Sequence, residues 1–285
     1  MGKLHEKMKM DLELKNFSPR TVKCYLSQMR AYAAFFKQSP DELNEQHIRE
    51  YLHYLIKDKN SSQAVVSQAY SALKFFYTTT LGRGWDTQKL PRSRASRRLP
   101  TVFSLEEVSA MLAAVRNLKH KSILTTIYSA GLRVGEAVEL KPDDIDSKRM
   151  LIRVRQGKGR KDRYTLLAES TLDLLRTYWS VYHPEHWLFP GQKENKPIDR
   201  STVRRVFKTA CAKAGIRKQA SVHTLRHSFA THLLEDGVDL FHIQRLLGHS
   251  TAQTTGVYLH VTHQSVARQI KSPIERLPQP AAAGV

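Results

Sequence analysis

Residues 221–260, SVHTLRHSFATHLLEDGVDLFHIQRLLGHSTAQTTGVYLH, contain two imidazoles, a guanidinium and a phenol that together suggest chemistry. The four groups are His223, Arg226, His249 and Tyr258. Positions three apart share a helix face, so His223 and Arg226 are expected to be neighbours. A guanidinium fork suits a phosphate or a carboxylate, and an imidazole can move a proton near neutral pH.

A phenol has an ordinary pKa of about 10 and needs positive neighbours to react at neutral pH. Cations gathered around Tyr258 therefore suggest covalent attack on phosphorus. Taken singly, the same residues have plainer interpretations, because a lone tyrosine is usually a core aromatic and a lone helical histidine is usually structural. We interpret His227, His232 and His242, in the same stretch, as packing or solvent-facing residues.

The composition points to a polyanionic partner. The 285 residues include 46 Lys and Arg against 26 Asp and Glu, a formal charge of +20. Nucleic acid is the first candidate for such a chain, and an anionic membrane surface is the weaker alternative. No apolar run reaches the length of a membrane span, and residues 1–15 have no apolar signal core. Cys24 and Cys211 form no metal or redox motif, so we expect the cytoplasm, with nucleoid association.

The first 82 residues have the pattern of a small helical domain. Ser18-Pro19 is a helix-start signal, Ser39-Pro40 repeats it, and a third apolar stripe ends before Gly82. These signals, with a short helix near the start, predict a bundle of about four helices. Its aromatic residues are expected in the core: Tyr25, Phe35, Phe36, Phe75, Phe76 and Tyr77.

Residues 83–102 read as a basic linker without periodicity. From Leu90 to Phe103 the chain can extend about 40 Å, enough for two domains to clamp opposite faces of a duplex. A disordered, tail-like segment is the alternative. The arginines expected to contact phosphates are Arg92, Arg94, Arg97 and Arg98.

Residues 103–285 predict a second domain, and the whole chain is expected to be mainly α with a small β-hairpin or sheet. A capping box, Ser104 to Glu107, opens the domain. Residues 151–155 and 163–167 read as two strands of a hairpin around a GKGRKD turn, and helices are expected at about 169–182 and 199–214.

Several motifs carry a family resemblance: GLRVGEAVEL at 131–140, HTLRHSFATHLLEDG at 223–237, LLGHSTAQTT at 246–255, and the tyrosine that follows. Together they resemble the signature of the tyrosine recombinases, the phage integrase family. The likeness is greatest to Xer-type resolvases and to short phage or transposon integrases, and it covers nearly the whole chain. The resemblance implies a helical core-binding domain followed by a tyrosine recombinase catalytic domain.

The resemblance also implies the roles of the site residues. Tyr258 would attack the scissile phosphate and form a 3′-phosphotyrosyl intermediate on the way to a Holliday junction. Glu136 could orient Arg133, although a plain salt bridge is the alternative. The implied catalytic set is Arg133, Lys158 as general acid with Lys161 as its less favoured substitute, His223, Arg226, His249 and Tyr258. Because a covalent intermediate conserves phosphodiester energy, neither ATP nor a metal cofactor is expected.

The implied partner is double-stranded DNA with an inverted-repeat core site, bound by a tetramer, with host accessory proteins possible and no membrane. The basic helix at 199–214 could enter a major groove, or it could be an ordinary surface helix. Further expected DNA contacts are Arg155, Arg160, Lys161, Arg204 and Arg205.

Two rival functions share the charge pattern. A non-catalytic DNA-binding protein on this scaffold would form no covalent adduct with DNA. A type IB topoisomerase would relax supercoils without recombinant products. The sequence leaves open the target site, and whether the task is dimer resolution, phage integration or transposon movement.

Overall fold

The structure is a computed structural model that describes residues 2–90, 92, 99–155, 162–193, 195–248 and 255. The chain divides into two compact units, residues 1–97 and 98–285. The described elements are mostly helices, with a three-stranded antiparallel sheet in the second unit. This is the predicted class, mainly α with a small sheet.

The described residues of the first unit form a bundle of four helices. They are α1 (Gly2–Leu14), α2 (Pro19–Phe36), α3 (Glu45–Lys57) and α4 (Gln63–Phe75), and a π-helical turn, Phe76–Thr80, continues α4. The apolar faces of α2 and α3 pack on α4, and α1 packs on α2. The predicted start at Ser18-Pro19 is confirmed, because the Ser18 hydroxyl accepts a hydrogen bond from the Thr21 amide.

The predicted helix start at Ser39-Pro40 is wrong. The next helix begins at Glu45, where the Asn44 side chain accepts from the amides of Gln46 and His47. The Ser39 hydroxyl bonds to Asp41 within the connecting loop instead. A side chain that satisfies free amides at the first turn decides where a helix begins, and Asn44 is as good a cap as serine.

The aromatic residues of the bundle form a continuous cluster, with one exception to the prediction. Phe75, Phe76 and Tyr77 are buried, and Tyr25 and Phe36 pack against the core while partly exposed. Phe35 is 41% exposed, so its predicted core position is wrong. Its ring lies against Tyr54 at the surface, with the ring centres 4.5 Å apart.

The start of the predicted linker packs on the first unit. The Trp85 indole donates to the Tyr70 hydroxyl at 3.0 Å, and that hydroxyl donates to the Leu90 carbonyl, also at 3.0 Å. Leu90 is buried in the core of the bundle. These contacts make residues 85–90 part of the first unit.

The second unit is built around one buried helix. Its described helices are α5 (Leu105–Ala113), α6 (Leu118–Ser129), α7 (Val134–Val138), α8 (Glu169–Tyr182), α9 (Arg200–Lys213), α10 (Val222–Glu235) and α11 (Leu240–Leu247). α6 contacts α7, α8, α9 and α10, so its apolar residues form the centre of the core. The predicted capping box is confirmed at the start of α5, where Ser104 and Glu107 bond reciprocally. Within the described part of the chain, every helix is too short or too polar to cross a bilayer.

The sheet consists of β1 (Ile145–Asp146), β2 (Leu151–Val154) and β3 (Arg163–Leu166), in that order. The hairpin of β2 and β3 was predicted, whereas the two-residue β1 was not. Ile152 pairs with Thr165, and Val154 pairs with Arg163. Residues directly opposite in a ladder share a face, so burial of Ile152 and Val154 turns Arg163 towards the interior.

Candidate active site

Arg226 lies in the first turns of α10, completely buried. Its guanidinium donates to the Gly131 carbonyl and to the Leu247 carbonyl, each at 2.6 Å. Gly131 has φ of +60°, and a Cβ there would lie 2.4 Å from the Phe229 ring, so only glycine fits this turn. The carbonyls that hold Arg226 therefore come from the turn after α6 and the end of α11.

Glu136 is the centre of an arginine cluster. Its carboxylate accepts from the Arg133 amide at 2.9 Å and from the Arg133 guanidinium at 2.7 Å. The Arg163 guanidinium donates to both carboxylate oxygens, at 2.9 and 2.8 Å. Arg226 lies 3.7 Å away. We call Arg133, Glu136, Arg163 and Arg226 the arginine cluster.

The electrostatics of the arginine cluster favour an anion. Burial of the Glu136 carboxyl by itself raises its pKa, but the hydrogen bonds and charges of Arg163 and Arg133 outweigh burial and lower the pKa to about 2. The carboxylate is therefore ionised at neutral pH. Three guanidinium groups surround this single carboxylate, so the cluster keeps a net positive charge. Arg133 keeps 26% of its side chain exposed, which leaves donors open to a ligand.

His223 and His227 lie one turn apart on α10, with ring centres 4.8 Å apart and planes nearly perpendicular. The surrounding side chains keep water away from the His223 imidazole, and this desolvation lowers its pKa. The charges of Arg226 and Arg133 lower the pKa further. Burial, with the charges of His223 and Arg226, lowers the pKa of His227 to about 4. Both imidazoles are therefore neutral at pH 7, and His223 can accept a proton.

A groove of about 1050 Å³ opens beside α10. His223, Thr224 and His227 line one part of it. Basic side chains line another part: Arg204, Lys208 and Lys218. Lys218 is paired with Glu107, and Arg204 and Lys208 give this wall of the groove a positive charge that suits a polyanion.

The structure brings Arg133, Glu136 and Arg226 together, with His223 less than one helical turn from Arg226. Eight of the predicted residues lie outside the described part of the chain: Arg94, Arg97, Arg98, Lys158, Arg160, Lys161, His249 and Tyr258. Sequence reasoning missed Arg163. Its place opposite Val154, on the inward face of the hairpin, follows from the register of the two strands, which no local motif specifies.

The remaining predicted DNA contacts differ in their surroundings. Arg155 is 2.6 Å from the buried carboxylate of Asp144, so it already has a protein partner. Arg92 donates to the Ser67 hydroxyl at 2.8 Å. Arg204 and Arg205 are exposed on α9.

The described residues contain no group of three histidine, cysteine, aspartate or glutamate side chains that could hold a metal ion.

Each of the two units matches a family model that describes part of a phage integrase. Residues 101–265 match the profile of the phage integrase family. Residues 4–87 match the N-terminal SAM-like domain of phage integrases.

Two relatives match along nearly their whole length. A putative integrase/recombinase, y4qK, of Sinorhizobium fredii is 44% identical over 99% of this chain and 91% of its own. Tyrosine recombinase XerA of Thermococcus kodakarensis is 34% identical over 95% of this chain and 96% of its own.

A solved structure has the same fold. It is the XerH site-specific recombinase bound to a palindromic difH substrate in a post-cleavage complex. The match covers 92% of this chain and 82% of that one, with a TM-score of 0.71 and 22% identity.

Proposed function

Because this chain belongs to the phage integrase family of tyrosine recombinases, its activity is site-specific cutting and rejoining of DNA strands, and we propose that Tyr258 is its nucleophile. The observation that supports an active phosphate site is the buried arginine cluster, in which Glu136 holds Arg133 and Arg163 while Arg226 lies close by. Three guanidinium groups around one carboxylate leave positive charge for a phosphate.

In the proposed reaction, the Tyr258 oxygen forms a bond to the scissile phosphorus, and the bond from phosphorus to the 5′ oxygen breaks. Arg133 and Arg226 hold the non-bridging oxygens and stabilise the charge that builds up on them in the transition state. Lys158, or Lys161 in its place, gives a proton to the departing 5′ oxygen. The products are a 3′-phosphotyrosyl ester and a free 5′ hydroxyl.

Two imidazoles complete the proposal. His223 accepts the phenolic proton or hydrogen-bonds the phosphate, and its lowered pKa supports the first role because a neutral imidazole is available at pH 7. His249 donates to a phosphate oxygen. Glu136 orients the arginines.

Rejoining reverses the first step. The 5′ hydroxyl of an incoming strand attacks the phosphotyrosyl phosphorus and gives its proton to Lys158, while the bond from phosphorus to the Tyr258 oxygen breaks and the released phenol recovers its proton from His223. Because one phosphoester replaces another, no ATP is consumed, and every step uses side chains of this chain alone.

We further propose that four protomers act on two duplexes with inverted-repeat core sites, joined by host accessory proteins in some contexts. Residues 1–82 would be the core-binding domain, 83–102 the linker, of which residues 85–90 pack on the first unit, and 103–285 the catalytic domain. The division into two compact units supports this organisation. The proposed compartment is the cytoplasm, on nucleoid DNA.

The proposed DNA contacts include exposed and paired arginines. Arg204, on the wall of the groove, and Arg205, exposed on the same helix, have the strongest support from their positions. The remaining candidates are Arg92, Arg94, Arg97, Arg98, Arg155, Arg160 and Lys161.

A nicked suicide substrate tests the proposal, since loss of the short 5′ fragment prevents rejoining and traps the covalent adduct. The wild-type chain should appear joined to DNA on a denaturing gel. Tyr258→Phe should give no adduct, whereas Tyr164→Phe, at an exposed position on β3, should give the normal amount. An adduct formed by Tyr258→Phe would contradict the assignment of the nucleophile.

The rival functions are not favoured, because the relatives along the whole chain are named recombinases. Supercoil relaxation without recombinant products, or DNA binding with no adduct, would support them.

A further inference from the structure

Arg163 makes more contacts than its place at the edge of a hairpin suggests. Two nitrogens of its guanidinium donate to the two oxygens of Glu136. The third, Nε, donates to the Leu246 carbonyl at 2.9 Å. Only 11% of the side chain is exposed, so these contacts are protected from water. A bidentate pair with an additional carbonyl bond uses all three nitrogens of the fork.

The contacts of Arg163 connect three elements of the second unit: β3, α7 and the end of α11. Arg226 donates to the next carbonyl along the chain, that of Leu247. Two guanidinium groups therefore bond consecutive carbonyls in the last turn of α11, where free carbonyls and the helix dipole favour positive charge. In the sequence, this turn is followed by Gly248 and then His249.

Arg163 also determines how Glu136 meets the other arginines. The two bonds from Arg163 reach both carboxylate oxygens. The other close donors to these oxygens are the amide and the guanidinium of Arg133, and Arg226 lies 3.7 Å away. Without them, the carboxylate would be buried with open acceptors and would attract Arg133 more strongly. A guanidinium drawn towards Glu136 has fewer donors for a phosphate.

We propose that Arg163 is a positioning residue for strand cleavage: it fixes the Glu136 carboxylate and the end of α11, and thereby leaves Arg133 and Arg226 aligned for the scissile phosphate. This inference rests on the proposed function. Lysine cannot replace arginine here, because one ammonium cannot bond both carboxylate oxygens and the carbonyl in a fixed plane.

The first test compares Arg163→Lys and Arg163→Gln with wild type in single-turnover cleavage of the suicide substrate. Both should cleave about 100-fold more slowly, the size expected for a small misplacement of catalytic groups, while DNA affinity stays within about twofold. The matched control is Arg153→Gln, an exposed arginine on the neighbouring strand, and should cleave normally. Normal cleavage by Arg163→Lys would overturn the inference.

The second test asks which step Arg163 supports. A substrate with a 5′-bridging sulfur has a leaving group that needs no proton. The cleavage defect of Arg163→Gln should persist on this substrate, because the defect lies in the phosphate clamp. Restored cleavage would show that Arg163 serves the leaving-group acid instead, and would overturn the inference.

A double-variant comparison tests the route through Glu136. If Arg163 acts through that carboxylate, Glu136→Gln combined with Arg163→Gln should cleave no more slowly than Glu136→Gln alone. A double variant whose cleavage rate falls by the product of the two single-variant effects would contradict action through Glu136.

A further variant displaces Arg163 without removing it, which covers the case in which Arg163→Gln fails to fold. A Cβ on Gly248 would lie 2.7 Å from the Arg163 side chain, whereas one on Gly215 would meet nothing within 4 Å. Both glycines have positive φ, so backbone strain is matched. Gly248→Ala should cleave at least about tenfold more slowly than Gly215→Ala. Equal rates would contradict the inference.

Adduct formation by the wild-type chain distinguishes failure of the proposed function from failure of the role of Arg163. If wild type forms no adduct, the proposed function fails. If wild type forms the adduct and the Arg163 variants cleave normally, only the role of Arg163 fails.

Discussion

The guanidinium of Arg226, on α10, donates at 2.6 Å to the carbonyl of Leu247, the last residue of α11. A second bond of the same length joins it to Gly131. The side chain proposed to hold the phosphate is therefore also a structural tie between two turns. Loss of Arg226 is expected to affect stability as well as chemistry.

Arg226→Gln should lower the free energy of unfolding of the second unit by about 3 kcal/mol, because the carbonyls of Gly131 and Leu247 lose a buried charged donor. Urea denaturation measures this change. Arg245→Gln, which removes an exposed arginine from α11, should change the free energy of unfolding by less than about 0.5 kcal/mol. Equal effects of the two variants would show that the burial of Arg226 is unimportant for stability.

The pKa of Glu136 predicts a dependence of stability on pH. The pKa falls from an ordinary 4.5 to about 2 in the folded chain, which corresponds to about 3 kcal/mol. The folded pKa is the lower one, so this stabilisation is present above pH 4.5 and is lost as the pH falls towards 2. The gap in unfolding free energy between wild type and Glu136→Gln should therefore narrow between pH 5 and pH 3.

A gap between wild type and Glu136→Gln that stays constant over that range would contradict the ion pairing of Glu136. Glu139→Gln is the matched control, because it lies on the same segment with its side chain 55% exposed. Its effect should be small at both pH values.

The hairpin illustrates how far the sequence could be read. The change from helical to alternating periodicity at residues 150–168 located both strands. Their register and the burial of Ile152 and Val154 are known from the structure. Arg163 was harder to place, because an arginine is ordinarily assigned to the solvent face of a strand. Its inward position depends on Glu136, 27 residues earlier in the chain, and no local pattern specifies such a contact.

The lowered pKa of His223 predicts an acid limb in the rate of cleavage. Its folded pKa lies below the ordinary 6.5, so the imidazole stays neutral at pH 7 and becomes protonated only at lower pH. If His223 accepts the phenolic proton, single-turnover cleavage should fall with a midpoint below pH 6.5.

His223→Gln should cleave slowly and lack this limb, while His242→Gln, at an exposed position on α11, should keep the wild-type profile. A limb unchanged in His223→Gln would assign the titration to another group.

Burial and pairing separate two classes among the predicted DNA contacts. The logarithm of DNA affinity falls linearly with the logarithm of salt concentration. Arg204→Gln and Arg205→Gln should each make this negative slope shallower by about 0.9, without loss of stability. Arg155→Gln should instead lower stability by about 1–3 kcal/mol, because the buried Asp144 carboxylate keeps the Lys141 amide but loses its charged partner. Fluorescence anisotropy across a salt series and urea denaturation distinguish the two effects.

The helix starts show why part of the fold could not be predicted from the sequence. Ser18 and Ser104 cap helices as predicted, and both belong to motifs with a following proline or glutamate. Ser39-Pro40 has the same appearance, yet Asn44 caps the helix. Two candidate caps lie within six residues, and only the Asn44 side chain accepts from the first free amides of the helix, those of Gln46 and His47.

The most direct test of the covalent mechanism is mass spectrometry of the peptide that contains position 258, after trapping on a suicide substrate and digestion of the DNA. The account predicts a nucleotide phosphate joined to the Tyr258 oxygen through its 3′ end. A cleaved cognate strand with an unmodified Tyr258, or with the nucleotide on another side chain, would contradict it.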